Sequence, residues 1–335
     1  MNTWVGKYGP LLVAEIGGNH EGDFEYAKKL TSLAIESDVD YIKFQIYSGD
    51  TLVNPIESPL RNKHFKKFEL SKNEYIFLAE MCREANVGFM ASVWNPEFVP
   101  WINEYSKIFK IGSGDFTAIP IIDYFISLEK PLLLSTGLCT LVEVIEIVEY
   151  IQSRSAIYKS QDFLGLLQCT SMYPIAIEDA NLNVMNTYKQ LFNIPVGYSD
   201  HTEGNFALET AVAMGAEILE FHFTDDRANK DFRDHKVSLT KAEVLDLIEK
   251  IKLIKKVQGH YFKKPLLSES EHVTSFRRAL YFNKDMKAGD SIKESDLISL
   301  RPNHGIDARE FHNVIGKRIN RRIKKYGKIE YDDLE

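Results

Sequence analysis

Eight short apolar runs succeed one another along the chain to about residue 255, separated by longer stretches with apolar residues at three- and four-residue spacing. The runs that read as strands are Leu11–Ile16, Tyr41–Gln45, Gly88–Ser92, Ile108–Gly112, Pro131–Ser135, Leu164–Gln168, Pro195–Tyr198 and Glu217–His222. Helix spacing fills Asp23–Ser37, Lys72–Ala85, Leu141–Ser153 and Asn205–Met214. Continuous apolar strands alternating with helices are buried on both faces, which fits the α/β class and a parallel (β/α)8 TIM barrel. A doubly wound open sheet is the competitor, but no GxGxxG follows the first strand.

Helix Lys241–Gln258 closes the barrel, and 263–275 reads as a polar linker. Beyond it the pattern changes to short strands, Ala279–Phe282 and Leu297–Leu300, around a turn at Lys287–Asp290. The expected organisation is a barrel domain over 1–262, a linker, and a small β-rich domain over 276–335, near the lower size limit for independent folding.

At 335 residues and 44% apolar content, the chain has material for a sizeable core. Its formal charge of -7 disfavours nucleic acid as the main partner, and the basic run 317–328 reads as a solvated face. Cys82, Cys139 and Cys169 form no CxxC pair and no disulfide framework. No signal peptide and no membrane-spanning run is visible, so a reducing cytoplasm is the expected location.

In a barrel of this kind chemistry gathers where strands end at the C-terminal face. Those ends carry Glu15, Asn19-His20, Lys43, Gln45, Ser92, Lys110, Ser113, Asp115, Ser135-Thr136, Ser171, Tyr173, Ser199-Asp200-His201, His222 and Thr224. So polar a set is hard to explain by packing, because buried charge is costly without partners. His201 and His222 end consecutive strands, so their imidazoles can converge on one divalent ion, with Asp200 and Asp234 close in sequence. Taken singly, each is more often a structural hydrogen-bonder.

Lys43 and Lys110 interrupt apolar strands and must face an anion or a carboxylate. One reading is a phosphate clamp, aided by the Gly112-Ser-Gly114 turn. Others are structural ion pairs with Glu15 and Asp115, or a Schiff-base lysine. Glu15 and Asp115 suit acid, base or cation-stabilising work. Trp94 and Trp101 read as core or rim aromatics.

Seven segments occur in order: Val13–Asp23, Ile42–Gln45, Lys110–Asp115, Leu134–Gly137, Cys169–Pro174, Tyr198–Thr202 and His222–Thr224. Together they resemble the N-acetylneuraminate (sialic acid) synthase family, with its legionaminic- and pseudaminic-acid branches. The tail 279–335, with Lys284–Gly289 and Leu300–Ile306, is similar to that family's antifreeze-like (SAF) domain.

The resemblance implies condensation of phosphoenolpyruvate with an N-acyl amino-sugar aldehyde, such as N-acetylmannosamine, to a nonulosonic acid and phosphate. It implies a divalent metal, Mn2+ foremost with Mg2+ or Co2+ as alternatives, on His201 and His222 with Asp234 close by. Phosphoenolpyruvate would lie on Lys43, Lys110, Ser113, Ser92 and Ser199, with Gln45 and Ser171 lining the site. Glu15 would stand beside the reacting carbons, and Asp115 and Tyr173 would face the sugar. A domain-swapped homodimer is implied as well, in which Arg301 reaches a sugar in the other subunit. The sialic-acid branch usually has Glu where Asp115 stands, Asn for Ser171, Ser-Thr-Pro-Phe for Ala91–Trp94, and Gly-Pro for Phe232-Arg233. These departures concentrate in the sugar half. The rivals are an octulosonate- or heptulosonate-phosphate synthase, a metal-dependent pyruvate aldolase and a non-catalytic anion-binding protein.

Overall fold

A computed structural model describes residues 3–335. A two-residue strand, β1 (Val5–Gly6), folds antiparallel onto the start of β2. The strands β2 (Gly9–Glu15), β3 (Tyr41–Ile46), β4 (Gly88–Val93), β5 (Ser106–Ile111), β6 (Leu132–Ser135), β7 (Leu164–Cys169), β8 (Val196–Asp200) and β9 (Ile218–His222) each pair parallel with the next. Strand β9 then pairs with β2, from Leu11↔Ile218 to Glu15↔His222, which closes the barrel. The eight expected strands are all present, with ends moved by at most two residues.

The period of two along each strand explains how the barrel interior is filled. Leu11, Val13, Met90, Ile108, Leu133, Leu167 and Ile218 pack with Trp4 into one inner cluster. Two or four residues further along the same strands stand Glu15, Ser92, Lys110, Ser135, Cys169 and Glu220. The interior therefore changes from apolar to polar toward the C-terminal mouth. The opposite strand faces join the helices in a larger apolar core that includes Leu12, Ala14, Phe44, Phe109, Leu134 and Val196.

The helices start where local chemistry satisfies their first N–H groups. Ser71, Thr140 and Thr240 each form a reciprocal capping box with Glu74, Glu143 and Glu243, an arrangement worth about 1 kcal/mol per cap. Helix Lys241–Gln258 buries Val244, Leu247, Ile248 and Ile251, the i, i+3, i+4, i+7 stripe of an amphipathic helix. It stops at Gly259, whose φ of +58° favours a residue without a Cβ.

Two compact units divide at Gly259/His260. In the second, β10 (Ala279–Phe282) and β11 (Leu297–Leu300) form an antiparallel pair. Around it packs a small core of Leu280, Phe282, Met286, Ile292, Ile306, Val314, Ile319, Ile323 and Ile329. The stretch expected as a polar linker holds a helix, Ser270–Phe276. No helix among the described residues is long and apolar enough to cross a membrane.

Two short helices not anticipated from sequence, Gly49–Leu52 and Pro59–Lys67, extend the β3 loop at the mouth of the barrel. Buried Asn62 ties them together, its side-chain N–H groups donating to the carbonyls of Gly49 (2.7 Å) and Val53 (2.9 Å).

Candidate active site

The polar ends of the barrel strands line one cavity of about 610 Å³. Strand register sets their level: Glu15 lies opposite Lys43 and His222, Gln45 opposite Ser92, Ser92 opposite Lys110, and Ser199 opposite Glu220. Glu15, Lys43, Gln45, Ser92, Lys110, Ser113, Asp115, Ser171, Tyr173, Ser199, His201, His222 and Asp234 all border it. Arg301 belongs to the second unit, where its guanidinium lies 5.8 Å from the Phe276 ring centre.

At the floor, two lysines interleave with two carboxylates. Lys43 Nζ stands 2.8 Å from Glu15 Oε2 and 3.7 Å from Glu220 Oε2, and 3.5 Å from Ser92 Oγ. Lys110 Nζ donates to Ser135 Oγ at 2.6 Å and lies 3.5 Å from Glu220 Oε1. Gln45 Nε2 donates to Glu15 Oε1 at 2.7 Å, and the Ser199 hydroxyl to Glu220 Oε1 at 3.0 Å. The four charged side chains, Glu15, Lys43, Lys110 and Glu220, are almost wholly buried, a state charges tolerate only when paired and hydrogen-bonded. Burial raises the Glu15 carboxyl above its ordinary range, with Lys43 pulling the other way. Burial also lowers the Lys110 ammonium, against the pull of Glu220. For Lys43 burial acts downward too, but Glu15 and Glu220 outweigh it and hold the ammonium protonated.

Glu220 escaped the sequence reading. It sits inside the run Ile-Leu-Glu-Phe-His rather than at a strand end, although the argument that singled out Lys43 and Lys110 applies equally to a carboxylate in an apolar strand. The Asp115 carboxylate, which one of the sequence readings paired with a lysine, accepts from the indole N–H of Trp94. Trp94 is thus a pocket residue with a polar contact, not only a core or rim aromatic. Burial pushes the Asp115 carboxyl up to about 6, and the Trp94 hydrogen bond works against that rise.

Beside the floor, the rings of His201 and His222 have centres 5.3 Å apart, with Tyr173 4.1 Å from the first and 5.5 Å from the second. His201 Nδ1 contacts the Thr170 carbonyl oxygen at 2.7 Å, which fixes that nitrogen as the N–H and leaves the Nε2 lone pair free. His222 Nδ1 is buried with no hydrogen-bond partner and lies 3.9 Å from Asp234 Oδ2. Two imidazoles with available lone pairs suit a borderline divalent ion. No group of three or more His, Cys, Asp or Glu is arranged to hold a metal among the described residues. Such an ion would therefore need further ligands from water or substrate.

Several strand-end residues are structural. Asn19 donates to the Phe223 carbonyl and Ser238 Oγ, and His20 Nδ1 accepts from the Gly22 N–H. Asp200, near His201 in sequence, accepts from the Tyr198 hydroxyl (2.9 Å) and from the Thr202 backbone and hydroxyl.

A closed (β/α)8 barrel whose buried titratable groups meet in one pocket at the C-terminal mouth has the build of a barrel enzyme. The chain belongs to the NeuB family, which matches residues 30–263, and a SAF domain matches residues 277–335. It is 34% identical to the N,N'-diacetyllegionaminic acid synthase of Legionella pneumophila, over 97% of this chain and 94% of that protein. With the pseudaminic acid synthase of Campylobacter jejuni it shares 30% identity, over 97% and 96% of the two chains. Among solved structures it resembles the N-acetylneuraminic acid synthetase of Leptospira borgpetersenii, in complex with citrate, with a TM-score of 0.72 and 30% identity over 78% of this chain and 90% of that one. The relatives are nonulosonic acid synthases, and this chain is an enzyme of their family.

Proposed function

We propose that this enzyme condenses phosphoenolpyruvate with the open-chain aldehyde of an N-acyl amino sugar, adding water at C2 and releasing phosphate by C–O cleavage. The observation that carries the reading is the buried floor, where Lys43 and Lys110 stand within reach of two serine hydroxyls, Ser92 and Ser135, in the same pocket as two imidazoles. A small trianion is the ligand such a cradle suits, because two ammonium groups offset its charge while hydroxyls supply directional hydrogen bonds. The names of the relatives point to the same chemistry.

On this reading the phosphate rests on Lys43, Lys110 and Ser113, with Ser92 and Ser199 nearby. C3 of the enol phosphate forms the new bond to the aldehyde carbon, whose oxygen becomes a hydroxyl on taking up a proton. Glu15, between Lys43 and Gln45, faces the positive charge that develops at C2 and stabilises it. Water then adds at C2, and the tetrahedral species breaks its C2–O bond to phosphate, leaving the 2-keto acid. Asp115 and Tyr173 orient the sugar. Mn2+, Mg2+ or Co2+ held by His201 and His222, with Asp234 alongside, would supply Lewis-acid polarisation of the aldehyde oxygen. Chains would pair as a swapped homodimer, with Arg301 of the partner subunit reaching the sugar's acyl-amino group.

Phosphoenolpyruvate labelled with 18O at the bridging C2 oxygen tests this directly. With an amino-sugar aldehyde present, the label is expected in inorganic phosphate. Label retained in the keto acid, or pyruvate exchange without phosphate release, would replace the reading with P–O cleavage or an aldolase.

A further inference from the structure

One floor carboxylate takes no part in the condensation, yet it faces the groups that would carry the phosphate. Glu220 stands in β9, 6% exposed and bordering the cavity. Its Oε1 accepts from the Ser199 hydroxyl at 3.0 Å and lies 3.5 Å from Lys110 Nζ, and its Oε2 lies 3.7 Å from Lys43 Nζ. Each lysine has a closer partner elsewhere: Lys43 has Glu15 Oε2 at 2.8 Å, and Lys110 has Ser135 Oγ at 2.6 Å.

Both lysine contacts to Glu220 exceed the roughly 2.7–2.9 Å of a charge-assisted hydrogen bond, and its Oε2 is buried without a hydrogen-bond partner among the described residues. Coulomb attraction persists at such distances, whereas directional bonding fades. Glu220 therefore neutralises two ammonium groups without committing their N–H donors to itself. With Glu15 it leaves the floor with two negative charges against two positive ones, so an arriving phosphoryl group meets donors but no net cation. A phosphate seated there must take the Ser199 hydroxyl from Glu220 and share its lysines. Once the phosphate leaves, the carboxylate is in place to pair with the same three groups again.

Resting on the synthase reading, we infer that Glu220 is a positioning residue that acts as a resident counter-anion: it competes with phosphate for Lys43, Lys110 and Ser199, and so eases release of the product phosphate. A purely structural Glu220 would only hold the lysines and the serine in place, and its loss would loosen anion binding. The two roles predict opposite signs for phosphate affinity when the charge is removed.

Inorganic phosphate would be titrated calorimetrically into the full chain at fixed ionic strength, in the wild type, Glu220→Gln and Glu220→Asp. Glutamine keeps the length and an acceptor for Ser199 but carries no charge. Removing a like charge beside a bound anion should tighten phosphate by about tenfold or more, and product inhibition should strengthen with it. KM for phosphoenolpyruvate and kcat should fall together, because capture improves while release slows. Aspartate restores the charge and should return phosphate affinity toward the wild type. Thermal midpoints check folding, and Glu220→Met serves should the glutamine variant misfold. Phosphate held equally or more weakly by the folded uncharged variant, a raised KM for phosphoenolpyruvate, or failure of both uncharged variants to fold overturns the inference while the synthase reading stands. A wild type that releases no phosphate from phosphoenolpyruvate with any amino-sugar aldehyde overturns the synthase reading and the release role with it, whereas the phosphate titration reports on the floor alone.

Discussion

The floor and the wall of the pocket are built on opposite principles. The floor comes from barrel strands: Glu15, Lys43, Lys110 and Glu220 are fixed by register and buried as a balanced set of two cations and two anions. The wall comes from connections: Tyr47, His64, Phe65 and Phe68 lie on the β3 loop and its short helices, Trp94 follows β4, and Phe232 follows β9. Their rings meet in one arc from Trp94 to Phe232, with neighbouring centres 4.6 to 5.6 Å apart. A strand ladder holds side chains to within a fraction of an ångström, whereas loops accept substitution at little cost to the scaffold. One barrel can therefore keep its ionic floor while its wall changes. The departures from the sialic-acid branch at Trp94, Asp115 and Phe232 fall on or against the wall.

The largest effect is expected at the floor. Lys110→Met leaves Glu220 with one cation in place of two. Breaking a buried pair costs about 3–5 kcal/mol, and loss of an electrostatic anchor costs on the order of 100- to 1000-fold in turnover. Thermal unfolding and phosphate release check the two losses; a variant of ordinary stability and activity would break the claim that the floor is a balanced ionic unit.

A matched pair of alanines separates the regions next. On Gly137 a Cβ would stand 2.2 Å from Ser171 Oγ and 2.8 Å from Ser113 Oγ, and the Gly137 N–H already donates to Ser113 at 3.0 Å. Overpacking of this kind costs about 1–3 kcal/mol, and Gly137→Ala should raise KM for phosphoenolpyruvate. On Gly18 a Cβ would come within 3.0 Å of Cζ of Phe232, a movable ring, so Gly18→Ala should alter acceptor KM with a smaller loss of stability. Steady-state kinetics with each substrate varied in turn would show the split, and identical profiles for both would erase the distinction.

A pH effect follows from Asp115. Its folded carboxyl titrates near about 6, against about 4 in an unfolded chain. The folded state thus holds the extra proton in that window, so the contribution to stability is full below about 4 and lost as pH rises through about 6. Asp115→Asn should abolish this decline, gaining on the wild type between pH 4 and 7 in denaturant titrations; parallel curves would contradict it. The smallest effect is expected for Trp94→Phe. Without the indole N–H the carboxylate loses a stabilising donor, and its titration should move up, read by NMR of the Asp115 carboxyl. A downward move would show that the contact does not govern Asp115.

Much of the floor was legible beforehand because it follows two short-range rules. Apolar runs with period two place every second residue inward, and charges inside such runs must be paired. Those rules located Glu15, Lys43, Lys110, His201 and His222 at one mouth, and applied evenly they would have included Glu220. The partner of Asp115 was not legible, because Trp94 lies 21 residues away and nothing in spacing distinguishes an indole that packs from one that donates. Asn19 and Asp200 lie outside the residues that border the cavity: the Asn19 side-chain N–H groups and the Asp200 carboxylate are engaged by neighbouring backbone and hydroxyl groups.

Amino-acid order alone determined the barrel, its eight strands and the level at which polar groups enter its interior, since periodicity and strand sequence act between neighbours. Only the closed tertiary structure decided which carboxylate faces which lysine, and that rings from three separate connections align into one wall. Those relations depend on β9 meeting β2 and on loops folding back over the mouth, long-range contacts that no local pattern encodes.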